Sequence, residues 1–190
     1  MRSAASPTPV VADLVAIWHV KLPDGVHRVE FVHGTTSGRR VVKIDGQELR
    51  RKNYMFKLVG KEEFNIGGTP CYISIEAVPS MRYQYKLHVN GQTYERYEET
   101  TAKNYKIWKF PATGVTMYQI VFDTQTLEIR VNGNVVETSS DFTDTGSQLS
   151  FALGLDFAAS VRISTANFQR TGLSAVLLVD NQEIPIHHES

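Results

Sequence analysis

The amino-acid sequence predicts an all-β chain of two tandem antiparallel β-sandwich domains related by an internal repeat. Three observations carry that prediction. Apolar and polar residues alternate with a period of two over most of the chain, the pattern of strands with one face in a core. Asp-Gly and Asn-Gly pairs, whose members tolerate positive φ at both central turn positions, separate the runs and mark tight hairpins. The second half also resembles the first at a shift near ninety residues. So long a period in only two copies means tandem domains and not a solenoid.

The repeat is ordered. Trp18 opens the first half and Trp108 the second; each is followed by a Gly-Val turn (Gly25-Val26, Gly114-Val115) and a run ending in Phe31 or Phe122. Val42-Lys43-Ile44-Asp45-Gly46 matches Ile129-Arg130-Val131-Asn132-Gly133, and Phe64-Asn65-Ile66-Gly67 matches Phe151-Ala152-Leu153-Gly154. Ile73-Ser74-Ile75 pairs with Val161-Arg162-Ile163, and Leu87 to Gly91 with Leu177 to Asn181. The expected organisation is a disordered tail over 1–11, a first domain over 12–96, a linker over 97–106 and a second domain over 107–186.

Taken in order, Leu14 to Leu22 alternates as a strand, and Pro23-Asp24-Gly25 is a turn. His27, Val29 and Phe31 share one face of the next strand, and His33-Gly34-Thr35-Thr36-Ser37-Gly38 reads as a flexible connection. Arg40, Val42 and Ile44 lead to the Asp45-Gly46 hairpin. The stretch from Arg50 to Glu63 is ambiguous between strand and helical turn, and we read it as non-helical because its counterpart, Ser139 to Asp144, is poor helix material. Ile73 to Ala77 and Tyr83 to Val89 are further strands, the latter ending at Asn90-Gly91. The second copy repeats the series and closes on Asp180-Asn181. No run has a helical period with caps at both ends.

Acidic and basic residues balance, so no net field draws the whole chain to nucleic acid or an anionic membrane. Neither a membrane-length apolar run nor a leader pattern is expected. Cys71 is the only cysteine, which excludes an internal disulfide or a thiolate zinc cluster, and no Asn-x-Ser/Thr acceptor occurs. These features predict a cytoplasmic protein.

Motifs for chemistry are weak. His33 to Arg40 offers glycines and guanidiniums to an anion, but the spacing is not that of a phosphate loop and a strand follows instead of a helix. His19, His27, His33 and His88 lack metal-ligand spacing; His27 reads as a hydrogen-bonded core histidine, and the His187-His188 pair as solvated. No nucleophile elbow occurs, and Cys71 reads as a small buried apolar group. Arg50-Arg51-Lys52 with Tyr54 and Phe56 comes nearest to a nucleic-acid surface, but the second copy has no basic counterpart, which favours a solvated basic loop.

Two segments go beyond a generic β-protein: Asp24-Gly25-Val26-His27-Arg28-Val29-Glu30-Phe31, continuing through His33 to Val42, and Met55-Phe56-Lys57-Leu58-Val59-Gly60-Lys61-Glu62. With the ending Leu178 to Pro185, they resemble the Fas apoptotic inhibitory molecule family over about residues 12–186. The resemblance implies tandem β-sandwiches without catalytic activity or cofactor. It also implies a cytosolic protein that opposes death-receptor-triggered apoptosis and limits stress-induced protein aggregation. Its expected partners are apoptosis and survival signalling components and misfolded or aggregation-prone clients, with no nucleic acid and no membrane. Met1 to Val11 does not resemble the N-terminal extension of the family's long neuronal form, so the inhibitor partner linked to that extension is not expected.

The expected interaction surface comprises the matched first-domain residues Asp24, His27, His33, Arg39, Arg40, Lys57, Lys61 and Glu62. The plain alternative is that these residues fix a hairpin and pack against the second domain. Two other functions stay open. One is a module for a glycan or lipid headgroup, with a pocket using Tyr83, Tyr85 or Trp108; the other is a hydrolase with paired carboxylates.

Overall fold

The computed structural model describes residues 13–111, 117–144, 146–164 and 173–186. The expected N-terminal tail, the Gly114-Val115 turn and His187-His188 lie outside the described residues.

Each hairpin turn read from the sequence has the expected backbone. Asp45 and Gly46 sit at φ 53° and 79°, Asn90 and Gly91 at 49° and 78°, Asn132 and Gly133 at 49° and 82°, and Asp180 and Asn181 at 47° and 65°. Two successive positive φ values give the turn whose twist matches paired antiparallel strands. The chain accordingly folds into antiparallel sheets whose strands follow sequence order.

The first sheet holds β1 (Leu14–Leu22), β2 (Gly25–Gly34), β3 (Arg39–Ile44) and β4 (Gln47–Lys52). The second holds β5 (Gly60–Ile66), β6 (Thr69–Val78), β7 (Arg82–Val89) and β8 (Gln92–Thr93). A helix, α1 (Tyr94–Thr100), and a 3-10 turn at Ala102–Asn104 follow. The third sheet comprises β9 (Tyr105–Pro111), β10 (Met117–Asp123), β11 (Ile129–Val131) and β12 (Asn134–Val135). The fourth comprises β13 (Ser139–Thr143), β14 (Gly146–Leu153), β15 (Phe157–Ser164), β16 (Ser174–Val179) and β17 (Gln182–Ile184).

Among the described residues the chain divides into two compact units. The first runs to Val20 and resumes over His27–Tyr97; the second takes Lys21–Val26 and everything from Glu98. The first unit is therefore not one continuous stretch. Within the second, the Gln119 side-chain amide donates to the Asp24 carbonyl at 2.9 Å.

Alternation builds both cores. In β5, Glu62, Phe64 and Ile66 point inward while Lys61, Glu63 and Asn65 are exposed. Phe31, Ile73, Ile75 and Leu87 are essentially sealed from solvent in the first unit. In the second, Trp108, Ile120, Phe122, Leu153, Val161 and Leu177 are fully buried in one cluster. Each such side chain contributes about 1.5–3 kcal/mol on leaving water. Trp18, matched to Trp108 by the repeat, is only partly buried.

Two local readings are corrected. The sequence reading has no helix, yet α1 forms: Thr93 Oγ1 accepts the Arg96 N–H at 3.4 Å, in the manner of a cap, and Glu95 suits the positive end. Only Tyr97 of α1 is buried, which leaves no apolar stripe to detect. Secondly, His33 and Gly34 belong to β2 and are buried, so the connection begins only at Thr35. Arg50 to Glu63 is non-helical, as read: residues 53–59 are irregular between β4 and β5, whereas their counterpart in the second copy is β13.

Candidate functional site

The polar residues shared by the matched segments converge inside the first unit. Antiparallel register sets Arg40 of β3 directly opposite Lys52 of β4. Cross-strand partners of this kind present their side chains on one face. Both reach Glu62 of β5, in the other sheet: Arg40 Nη1 donates to Oε1 at 2.7 Å, and Lys52 Nζ lies 2.8 Å from Oε2. The side chains of Arg40 and Glu62 are 3% and 1% exposed. A carboxylate so far from water is tolerated only with matched charge and filled lone pairs, and here two cations take one oxygen each.

Arg40 does a second job. Its Nη2 donates to the carbonyls of Lys57 at 2.6 Å and Val59 at 3.3 Å, pinning the irregular segment that enters β5. The far side of that segment is fixed too, because Met55 N–H donates to the Gly38 carbonyl at 3.2 Å. Gly38 has φ +67°, and a Cβ there would lie 2.2 Å from the Met55 carbonyl oxygen. Only glycine fits. Held from both sides, the segment presents Tyr54 and Phe56 to solvent at 80% and 103% exposure.

Beside the ion pair lies a ring cluster. His33 of β2 bonds through Nδ1 to the Tyr85 hydroxyl of β7 at 2.9 Å, and its ring meets Tyr83 edge-on at 5.3 Å between centroids. Its Nε2 is buried without a hydrogen-bond partner among the described residues. Burial first, and then the Arg40 guanidinium, hold the His33 pKa below its ordinary value. The imidazole is therefore kept neutral.

The remaining sequence candidates are dispersed. Asp24 lies in the β1–β2 turn, in the second unit. His27 is partly buried, its Nδ1 2.8 Å from Asp45 Oδ2, as a hydrogen-bonded histidine should be. Arg39 pairs with Asp13 at 2.8 Å. Lys57 is exposed, and Lys61 Nζ stands 4.6 Å over the Tyr72 ring. His33, Arg40 and Glu62 are corrected as surface residues. Their alternating neighbours Phe31, Val42 and Phe64 all face the core, and period two carries the polar residues in with them. Lys52, Tyr54 and Phe56, read from the sequence as a solvated basic loop, and Tyr85, read as a pocket residue, were not in the expected interaction surface. The signal for Lys52 was an acid, Glu62, on an apolar face, which demands a base nearby.

Of the residues proposed for a glycan or lipid headgroup pocket, Trp108 is fully buried in the second core, and Tyr83 and Tyr85 are partly buried against His33. An open groove of about 760 Å³ does lie in the second unit, lined by Ser139, Gln148, Ser150, Ala158, Ser160 and Asp180 among others. Tyr83, Tyr85 and Trp108 are not among its walls. Cys71 is buried, and burial raises its thiol pKa to about 11. Among the described residues no three His, Cys, Asp or Glu side chains gather as a metal site, and no helix is long and apolar enough to cross a membrane.

These features define a class: an all-β protein of repeated antiparallel sheets with a cluster of polar residues joined to one another inside the first unit. The Fas apoptotic inhibitory molecule family profile matches residues 14–187. Fas apoptotic inhibitory molecule 1 of Homo sapiens is 40% identical over 177 residues, covering 92% of this chain and 98% of its own. The Bos taurus protein of that name is also 40% identical, covering 92% and 87%, and the Mus musculus one is 38% identical, covering 92% and 98%. The chain belongs to the Fas apoptotic inhibitory molecule family.

Proposed function

We propose that this protein is a non-enzymatic, cytoplasmic, anti-apoptotic regulator that binds other proteins, limits stress-induced aggregation and opposes death-receptor-triggered apoptosis. The observation that carries the reading is family membership over nearly the whole chain, with a human relative named for inhibiting Fas-triggered apoptosis. A physical route accompanies it. The sheets end in edge strands, which offer unpaired N–H and C=O groups to extended segments of other chains. Polar groups that could serve chemistry are instead committed to one another, as Arg40 and Glu62 are. The proposed partners are apoptosis and survival signalling components and aggregation-prone clients.

Two assays test the reading. Cells lacking an endogenous relative are challenged with Fas ligand, with and without the full chain; reduced caspase activation is expected, and unchanged activation removes the anti-apoptotic part. A model client is heated with the full chain at substoichiometric and equimolar ratios. Suppressed light scattering is expected, and no suppression at any ratio removes the aggregation part.

A further inference from the structure

The buried cluster props up something that has no structural task of its own. Phe56 is fully exposed and Tyr54 nearly so, on a segment fixed by Arg40 from one side and by Gly38 from the other. Mobile aromatics on a surface are common, but aromatics held in place lose little further entropy on binding, which is what makes them effective anchors. The segment continues directly from β4, the last strand of its sheet, which among the described residues pairs with β3 alone. Every residue from Gln47 to Arg51 is exposed. A register shift sets Leu49 out of the ladder, leaving Arg50 to Lys52 as regular edge running into the aromatics.

Charge specifies the occupant. From Gln47 to Lys61 the chain has five basic residues against one acid, Glu48, which pairs with Arg51, and Glu62, which follows, is buried beneath Arg40 and Lys52, so the exposed patch is net basic. Basic side chains on an edge repel a second copy of the same edge and other basic strands, and give a neutral strand no ionic contact. They do not repel an acidic one.

We propose that the β4 edge and the Tyr54–Phe56 segment form a docking site for an extended, acidic segment of a partner protein. This rests on the protein-binding reading above and names the partner class. The segment adds as a strand beside Arg50–Lys52, its carboxylates meet the basic side chains, and one apolar side chain packs on Phe56. Single-stranded RNA also favours basic residues with aromatics. A phosphodiester backbone, however, cannot continue the N–H and C=O ladder that β4 leaves open, so the peptide is the better match.

The test is an amide-resolved NMR titration of the full chain with three probes of equal length: a dodecapeptide of alternating glutamate and valine, its lysine–valine counterpart, and oligouridylate. Binding of the glutamate peptide alone is expected, with shifts concentrated over Gln47–Lys57 and affinity falling as salt rises. Phe56→Ser should weaken it by at least about tenfold, the loss of one anchor, without moving the thermal midpoint. Arg51→Glu should weaken it too and admit the lysine peptide. Equal binding of both peptides, preference for RNA, shifts elsewhere, or an indifferent Phe56→Ser would each overturn the site. In the heated-client assay, a Phe56→Ser chain as protective as its parent overturns this surface and leaves the protein-binding reading standing. Failure of the parent chain itself removes that reading.

Discussion

Replacing Arg40 by leucine strips Glu62 Oε1 of its 2.7 Å partner and leaves a carboxylate that is 1% exposed with Lys52 as its one remaining cation. It also frees the Lys57 and Val59 carbonyls. Breaking a buried pair from one side costs about 3–5 kcal/mol, because the surviving charge stays out of water. At about 2–4 °C per kcal/mol for a chain of this size, the midpoint should fall by roughly 6–20 °C. The second copy of the repeat suggests half of the rescue. Aligning Val42 with Ile129 and Phe64 with Phe151 puts buried Leu149 where Glu62 stands, whereas Leu127, where Arg40 stands, is 45% exposed, so the acid has an apolar counterpart in the second core and the base has none. The Arg40→Leu/Glu62→Leu double variant should recover most of the loss, since replacing a whole buried pair by apolar groups is often neutral. Urea unfolding of the parent, both single variants and the double variant closes the cycle. A single variant costing under about 1 kcal/mol, or a double variant as unstable as the sum of the singles, would refute the pair as a unit of structure.

Other expectations follow from the same interior. His33 titrates below its ordinary 6.5 in the folded protein, so the unfolded chain binds the proton more tightly. Stability should be complete above pH 6.5 and fall as pH drops from there toward the folded value, and His33→Gln should flatten that slope in thermal melts. With its thiol pKa raised to about 11, Cys71 is about one part in a thousand thiolate at pH 8, so a thiol reagent should label it at the rate of unfolding; fast labelling of the native chain would contradict its burial. Gly38→Ala drives a methyl into the Met55 carbonyl, and should both destabilise the protein and speed amide exchange over residues 53–59. Trp108→Ala should cost about 3–5 kcal/mol in urea unfolding and Trp18→Ala distinctly less, because only Trp108 is sealed from solvent.

The fold was largely open to reading. Four dipeptides, from Asp45-Gly46 to Asp180-Asn181, declare their positive φ through residue type, and alternation along Phe64-Asn65-Ile66 states which side faces the core. α1 escaped because seven residues with one buried side chain leave no period to detect. The site was only half visible. Arg40, Glu62 and His33 stood out as polar residues in matched segments, but whether such a residue faces solvent or a partner depends on register between strands distant in sequence. Arg40 opposite Lys52, and both against Glu62, is such a case. Nothing local distinguishes Lys57, whose side chain is exposed while its carbonyl is bound by Arg40. Likewise, Tyr54 and Phe56 read as part of a solvated basic loop until Gly38 and Arg40 are seen to hold their backbone in place.

Hydrogen–deuterium exchange on the full chain, alone and mixed with a heat-stressed client, tests most directly whether this protein acts through an exposed edge on other chains. Slowed exchange confined to Gln47–Val59 is the predicted result. Protection centred instead on the Ser139–Ser160 groove, or no protection anywhere while the client is held soluble, would contradict it.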